Sequence, residues 1–172
     1  MANNSTGRYL VTPKYLMTRG QAISFPSKFF DDDYKDREVY GVVIDIPMTP
    51  QLLTTMVCFI NGAANLYFNN GGEYTGASQK YRNLVQSSHA LVSNAPMLLP
   101  KCERAKQFDI PRDRTHNVFL LTRKGVYKTE IPSGLIPESE PEKRTIYMLY
   151  QRVLNELRNC QLKDDAERSG NK

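Results

Sequence analysis

The side chains of this 172-residue chain best suited to nucleophilic, general-base or soft metal-ligand chemistry are Cys58, Cys102, Cys160, His89 and His116. A thiol becomes reactive when a neighbour stabilises its thiolate, and a metal needs several ligands held at close, fixed spacing. The three cysteines are far apart and form no C-x-x-C, and the histidines are equally dispersed. Cys102 and His116 are the one thiol and imidazole near each other in sequence, so they define the enzyme reading to be tested. Asp45 lies in an apolar run with no obvious acidic partner for paired-carboxylate chemistry. The phosphate-binding G-x-x-x-x-G-K-[ST], a G-x-G-x-x-G after a strand, the G-x-S-x-G elbow and the zinc motif H-E-x-x-H are all absent. Asp31-Asp32-Asp33 lacks the alternating, glycine-containing spacing of a calcium loop and reads as a solvated turn. The expectation is a chain with no catalytic residue, no cofactor and no metal.

Two stretches could instead bind something. In the first, Tyr67, Asn69, Asn70, Gly71, Gly72, Glu73 and Gly76 form a glycine-rich hairpin turn, which lets a helix, a ligand or a partner approach the backbone closely. The second is basic. Residues 101–130 hold eight Lys or Arg against four Asp or Glu, nearly all of the chain's surplus of 23 basic over 18 acidic residues. Lys101, Arg104, Lys106, Arg112, Arg114, Arg123 and Lys124, followed by Lys128, could line an anion-binding face, with Phe108 and Tyr127 as stacking surfaces for single-stranded nucleic acid.

These residues need a framework. Val39–Ile46 reads as a buried strand. Thr49-Pro50 supplies a helix cap and a first-turn proline, and Leu52, Leu53, Met56, Val57 and Ile60 recur at helical spacing up to Asn61-Gly62, so a helix is expected there. Two strands around Asn69-Asn70-Gly71-Gly72 follow, then a helix from Ser78 to Pro96, whose His89 falls just off the apolar stripe. A proline-interrupted loop over 96–116, with a short helical piece near Glu103 to Gln107, leads to a hairpin around Arg123-Lys124-Gly125. Ser139 and Glu142 resemble a capping box opening a last helix that carries Ile146, Leu149, Tyr150, Val153, Leu154 and Leu157. Before residue 39, Tyr9–Val11 and Ala22–Phe25 read as extra strands or an arm. The sum is an α+β domain over 39–160 with an antiparallel sheet of about five strands flanked by helices, a partly stranded extension over 1–38, and a frayed tail over 161–172. Unpaired cysteines and the absence of an apolar leader or spanning segment suggest a cytoplasmic protein with no membrane partner.

The pattern Leu66-Tyr67-Phe68, Gly71-Gly72 and Gly76, taken with Val39–Val43 and Asn61-Gly62, resembles a group of small bacterial proteins of uncharacterised function. The order of elements also resembles a permuted roadblock/longin, or profilin-like, architecture. That resemblance implies a non-catalytic scaffold or protein-interaction module, dimeric and serving a GTPase or a larger assembly; no individual residue's role is carried over. Binding of nucleic acid or another polyanion through 101–128 stands as the alternative, and an enzyme with a motif-free site as a second. Sequence alone does not choose among them.

Overall fold

Nine residues from Val39 to Pro47 form strand β1, and eight of them are buried, because neighbours cover both of its faces. β1 pairs on one side with β2 (Leu53–Phe59), which continues to β3 (Ala64–Phe68) and β4 (Glu73–Tyr74). On its other side it pairs with β6 (His116–Thr122), then β7 (Gly125–Ile131) and the two-residue edge strand β5 (Glu103–Arg104). The computed structural model describes residues 9–170. Within them one antiparallel sheet of seven strands runs in the order β4-β3-β2-β1-β6-β7-β5, two more than the sequence suggested.

The helices are α1 (Pro13–Ile23), a single turn α2 (Asp31–Tyr34), α3 (Arg82–Asn94) and α4 (Pro141–Gly170). Alternation along paired strands sorts the sheet into two faces. On one, Met56, Cys58, Leu66, Val118 and Leu120 lie under α3 and α4, and the Tyr150 hydroxyl of α4 sits 2.7 Å from His116 Nδ1. On the other, Val43, Asp45, Thr55, Val57 and Phe119 lie under α1 and the segments flanking it.

The helix expected after Thr49-Pro50 is strand β2. All seven residues of β2 are buried, and a strand covered on both faces shows a continuous apolar run whose spacing also fits a helix. Thr49 still caps, but it caps a turn: its Oγ1 accepts from the backbone of Gln51 at 3.2 Å and of Leu52 at 2.9 Å, and β2 folds back on β1. The same Thr-Pro signal does start a helix at Thr12-Pro13, where Thr12 Oγ1 accepts from Tyr15 N at 3.1 Å. Among the described residues, 9–38 therefore hold a helix and no strand; residues 1–8 and 171–172 of the expected extension and tail lie outside them.

Three smaller expectations change as well. Glu103–Arg104 is a strand paired with Tyr127 and Lys128 instead of a helical piece. α4 begins at Pro141, one position later than a Ser139 capping box would set it, and its first backbone bond runs from Arg144 N to Glu140 O at 3.2 Å. The tail is helical to Gly170, fastened by Asp164, which accepts from Tyr74 at 2.6 Å, Tyr81 at 2.5 Å and Lys80 at 2.8 Å. Those bonds hold the Asp164 carboxyl well below the usual carboxylate range.

Both expected hairpins form. Gly71 and Gly125 take positive φ angles of 93° and 135° in their turns.

Candidate functional site

The basic residues gather at the β5–β7 edge of the sheet, where a groove of about 880 Å³ opens. Lys101 reaches it from the end of a 3₁₀ segment (Ala95–Lys101), Arg104 from β5, Lys106 from the following loop, Lys128 from β7 and Lys143 from the first turn of α4. Glu103 and Glu130 are the acidic residues of the lining, so cations exceed anions by three. Lys143 is 3.2 Å from Glu140, and Lys128 Nζ lies 5.7 Å from the centre of the Phe119 ring. The Arg104 guanidinium lies over Gly125, at 2.8 Å from where a Cβ would stand, so this glycine is needed for close approach as well as for its φ.

The rest of the expected anion face is elsewhere. β6 is seven residues long and separates its ends by about 20 Å. Arg112 and Arg114 lie before it, Arg114 beside Pro47–Pro50. Arg123 and Lys124 lie after it, where Arg123 pairs with Asp31 of α2 and donates to Tyr34 O at 3.1 Å. One linear stretch thus feeds three separate places. Lys143, distant in sequence, joins the groove only through the docking of α4.

The glycine hairpin is occupied by the chain itself. Asn69 is buried; its side chain accepts from Leu53 N at 3.0 Å and donates to Leu10 O and Gln51 O, both at 2.9 Å, while its carbonyl accepts from Thr12 N at 3.0 Å. Gly71 leaves room for Thr12, whose Oγ1 is 3.2 Å from a would-be Cβ. Asn70 Oδ1 accepts from Gly72 N at 2.8 Å, Glu73 pairs with Lys14 at 3.1 Å, and Tyr67 packs between the two core clusters. Gly76 N donates to Asn65 Oδ1 at 3.4 Å. The close approach that the glycines permit is made by the segment leading into α1.

The thiols and imidazoles do not assemble. Cys102 Sγ bonds to Leu98 O at 3.3 Å and His116 Nδ1 meets Tyr150, so no thiol–imidazole bond forms between them. Burial pushes the Cys58 thiol up to about 12 and Cys102 to about 11, and lowers His116 to about 4, which leaves neutral thiols and a neutral ring. His89, half-buried on α3, bonds to Ile60 O at 2.7 Å. No group of three or more His, Cys, Asp or Glu able to hold a metal occurs among the described residues, and none of their helices is long and apolar enough to cross a membrane.

Asp45 has a basic partner that sequence reading missed. Arg19 Nε and a terminal nitrogen donate to its two oxygens at 3.0 and 2.7 Å, with both side chains almost fully buried. Thr55 Oγ1 donates to Asp45 at 2.7 Å, which leaves Tyr15 to donate to Thr55 at 2.6 Å. Burial works against the Arg19 charge, but attraction and hydrogen bonds from Asp45 outweigh it and raise the guanidinium's pKa. The remaining Arg19 donors reach Phe108 O at 2.6 Å and Asp109 O at 3.3 Å. An arginine in α1 therefore anchors the loop that borders the basic groove. No protein-family model matches the chain, and neither the curated proteins nor the solved structures contain a match.

Proposed function

We propose that this chain is a non-catalytic binding module for a polyanionic partner, which it takes in the groove at the β5–β7 edge. The observation that supports this most is the convergence of Lys101, Arg104, Lys106, Lys128 and Lys143 from five separate segments onto one open surface. Cations on one groove raise the local concentration of a polyanion and release its counterions on binding, so affinity falls steeply with salt. A short edge strand bearing Glu103 and Arg104 also discourages pairing with another sheet, which keeps the groove clear. The test is fluorescence anisotropy with labelled oligothymidylate and with polyphosphate as competitor, across a salt series. Lys101→Glu with Lys128→Glu should lower affinity at least tenfold, whereas Arg114→Glu, outside the groove, should change it little. Absence of salt-sensitive binding, or equal affinity in the double variant, rejects the reading.

A second reading is a dimerising protein-interaction scaffold of roadblock/longin-like type. It draws on Leu10, Leu16 and Met17, which are exposed together at the start of the described chain. It no longer draws on α4, whose Ile146, Tyr150, Val153, Leu154 and Leu157 are buried within the chain. A monomer by light scattering at high concentration would remove it.

A further inference from the structure

We infer that the polyanion suited to this groove is a single strand of nucleic acid, with Phe108 as the surface on which one of its bases stacks; this rests on the polyanion reading above. Phe108 is 39% exposed, yet its main chain is firmly held. Its carbonyl accepts from Arg19 at 2.6 Å, and the next carbonyl, Asp109 O, accepts from Arg19 at 3.3 Å and from Asn117 at 3.1 Å. Arg19 is itself fixed by Asp45 beneath the loop. An exposed aromatic ring on an anchored backbone loses little freedom when a base lands on it.

The placement of the ring also fits. Phe108 packs against Phe119 with centroids 5.8 Å apart, and Lys128 lies 5.7 Å from the centre of that same Phe119 ring. A groove cation and the exposed aromatic therefore share one neighbour. Gln107, the residue before Phe108, lines the groove and brings an amide able to meet base edges. Bases in a duplex have their faces covered by stacking, and polyphosphate has no bases, so an aromatic beside a cationic groove favours single strands over both.

The full chain is titrated at low salt with labelled oligothymidylate, with the same strand in a duplex, and with polyphosphate. Phe108→Ala should weaken oligothymidylate binding roughly five- to a hundredfold, leave polyphosphate binding unchanged and erase the preference for single strand over duplex. Phe108→Tyr should keep the preference, and Lys101→Glu with Lys128→Glu should weaken all three ligands. If Phe108→Ala leaves oligothymidylate affinity unchanged, or weakens polyphosphate equally, the stacking inference is overturned while polyanion binding stands. If wild-type protein binds none of the three, the polyanion reading fails and this inference with it.

Discussion

Arg19 and Asp45 show how much one buried pair decides. Removing a guanidinium and a carboxyl from water costs several kcal/mol, and here the cost is offset by a two-point contact and by bonds to Thr55, Phe108 O and Asp109 O. Arg19→Met should destabilise the fold by about 3–5 kcal/mol in urea titrations, because Asp45 would stay buried without its cation. Arg19→Met with Asp45→Leu should recover much of that loss. His116 makes a pH-dependent contribution of the opposite kind. Its folded pKa of about 4 lies below the ordinary 6.5, so the unfolded chain binds the extra proton between those values. The contribution is fully present above pH 6.5 and is lost as pH falls toward 4, by about 2–3 kcal/mol in total. Denaturation midpoints at pH 7, 6 and 5 should show it, and His116→Phe, which keeps a ring near Tyr147, should flatten the slope. Neither Arg19 nor its tie to Asp45 was legible in the sequence, since the two residues lie on elements that sequence reading left unassigned and unpaired.

At the scale of elements, a shared local signal led to different structures. Thr12-Pro13 opens α1 and Thr49-Pro50 closes a turn, because Leu53–Phe59 gains more from burial on two faces between β1 and β3 than from helical bonds. Glycines separate in the same way. Gly20 in α1 has nothing within 4 Å of a would-be Cβ, so Gly20→Ala should stabilise by about 0.5–1 kcal/mol through chain entropy and helix propensity. Gly62, at φ 95°, would press a Cβ to 2.4 Å from a Val85 methyl and 3.1 Å from its carbonyl. Gly62→Ala should destabilise by more than about 1 kcal/mol. Thermal unfolding of the two variants checks both signs at once, and a stabilised Gly62→Ala would refute the packing of α3 against the β2–β3 turn. The hairpins at Gly71 and Gly125 were legible because their turns depend on positive φ, a property of the residue itself.

Across the whole molecule, β1 pairs with β2 through a short turn but with β6 only after most of the chain has intervened, as in Val43 opposite Phe119. Such non-local pairing slows folding, so refolding after denaturant dilution should take milliseconds to seconds. A faster phase carrying the full amplitude in stopped-flow fluorescence would contradict the topology. The sequence by itself determined what depends on neighbouring residues: an α+β chain, the β1 strand, both hairpins, the helices α3 and α4, and an excess of charge within 101–130. It also suggested that the cysteines and histidines form no local motif. Only the tertiary structure decided that β2 is a strand, that the sheet has seven strands, and that α1 covers the second face with Arg19 under it. Tertiary contacts likewise divided the basic stretch among three places and added Lys143 to the groove. The physical reason is range: turn geometry and amphipathic spacing are set over a few residues, whereas burial on both faces of a sheet and the meeting of charges from five segments exist only once distant parts of the chain have packed.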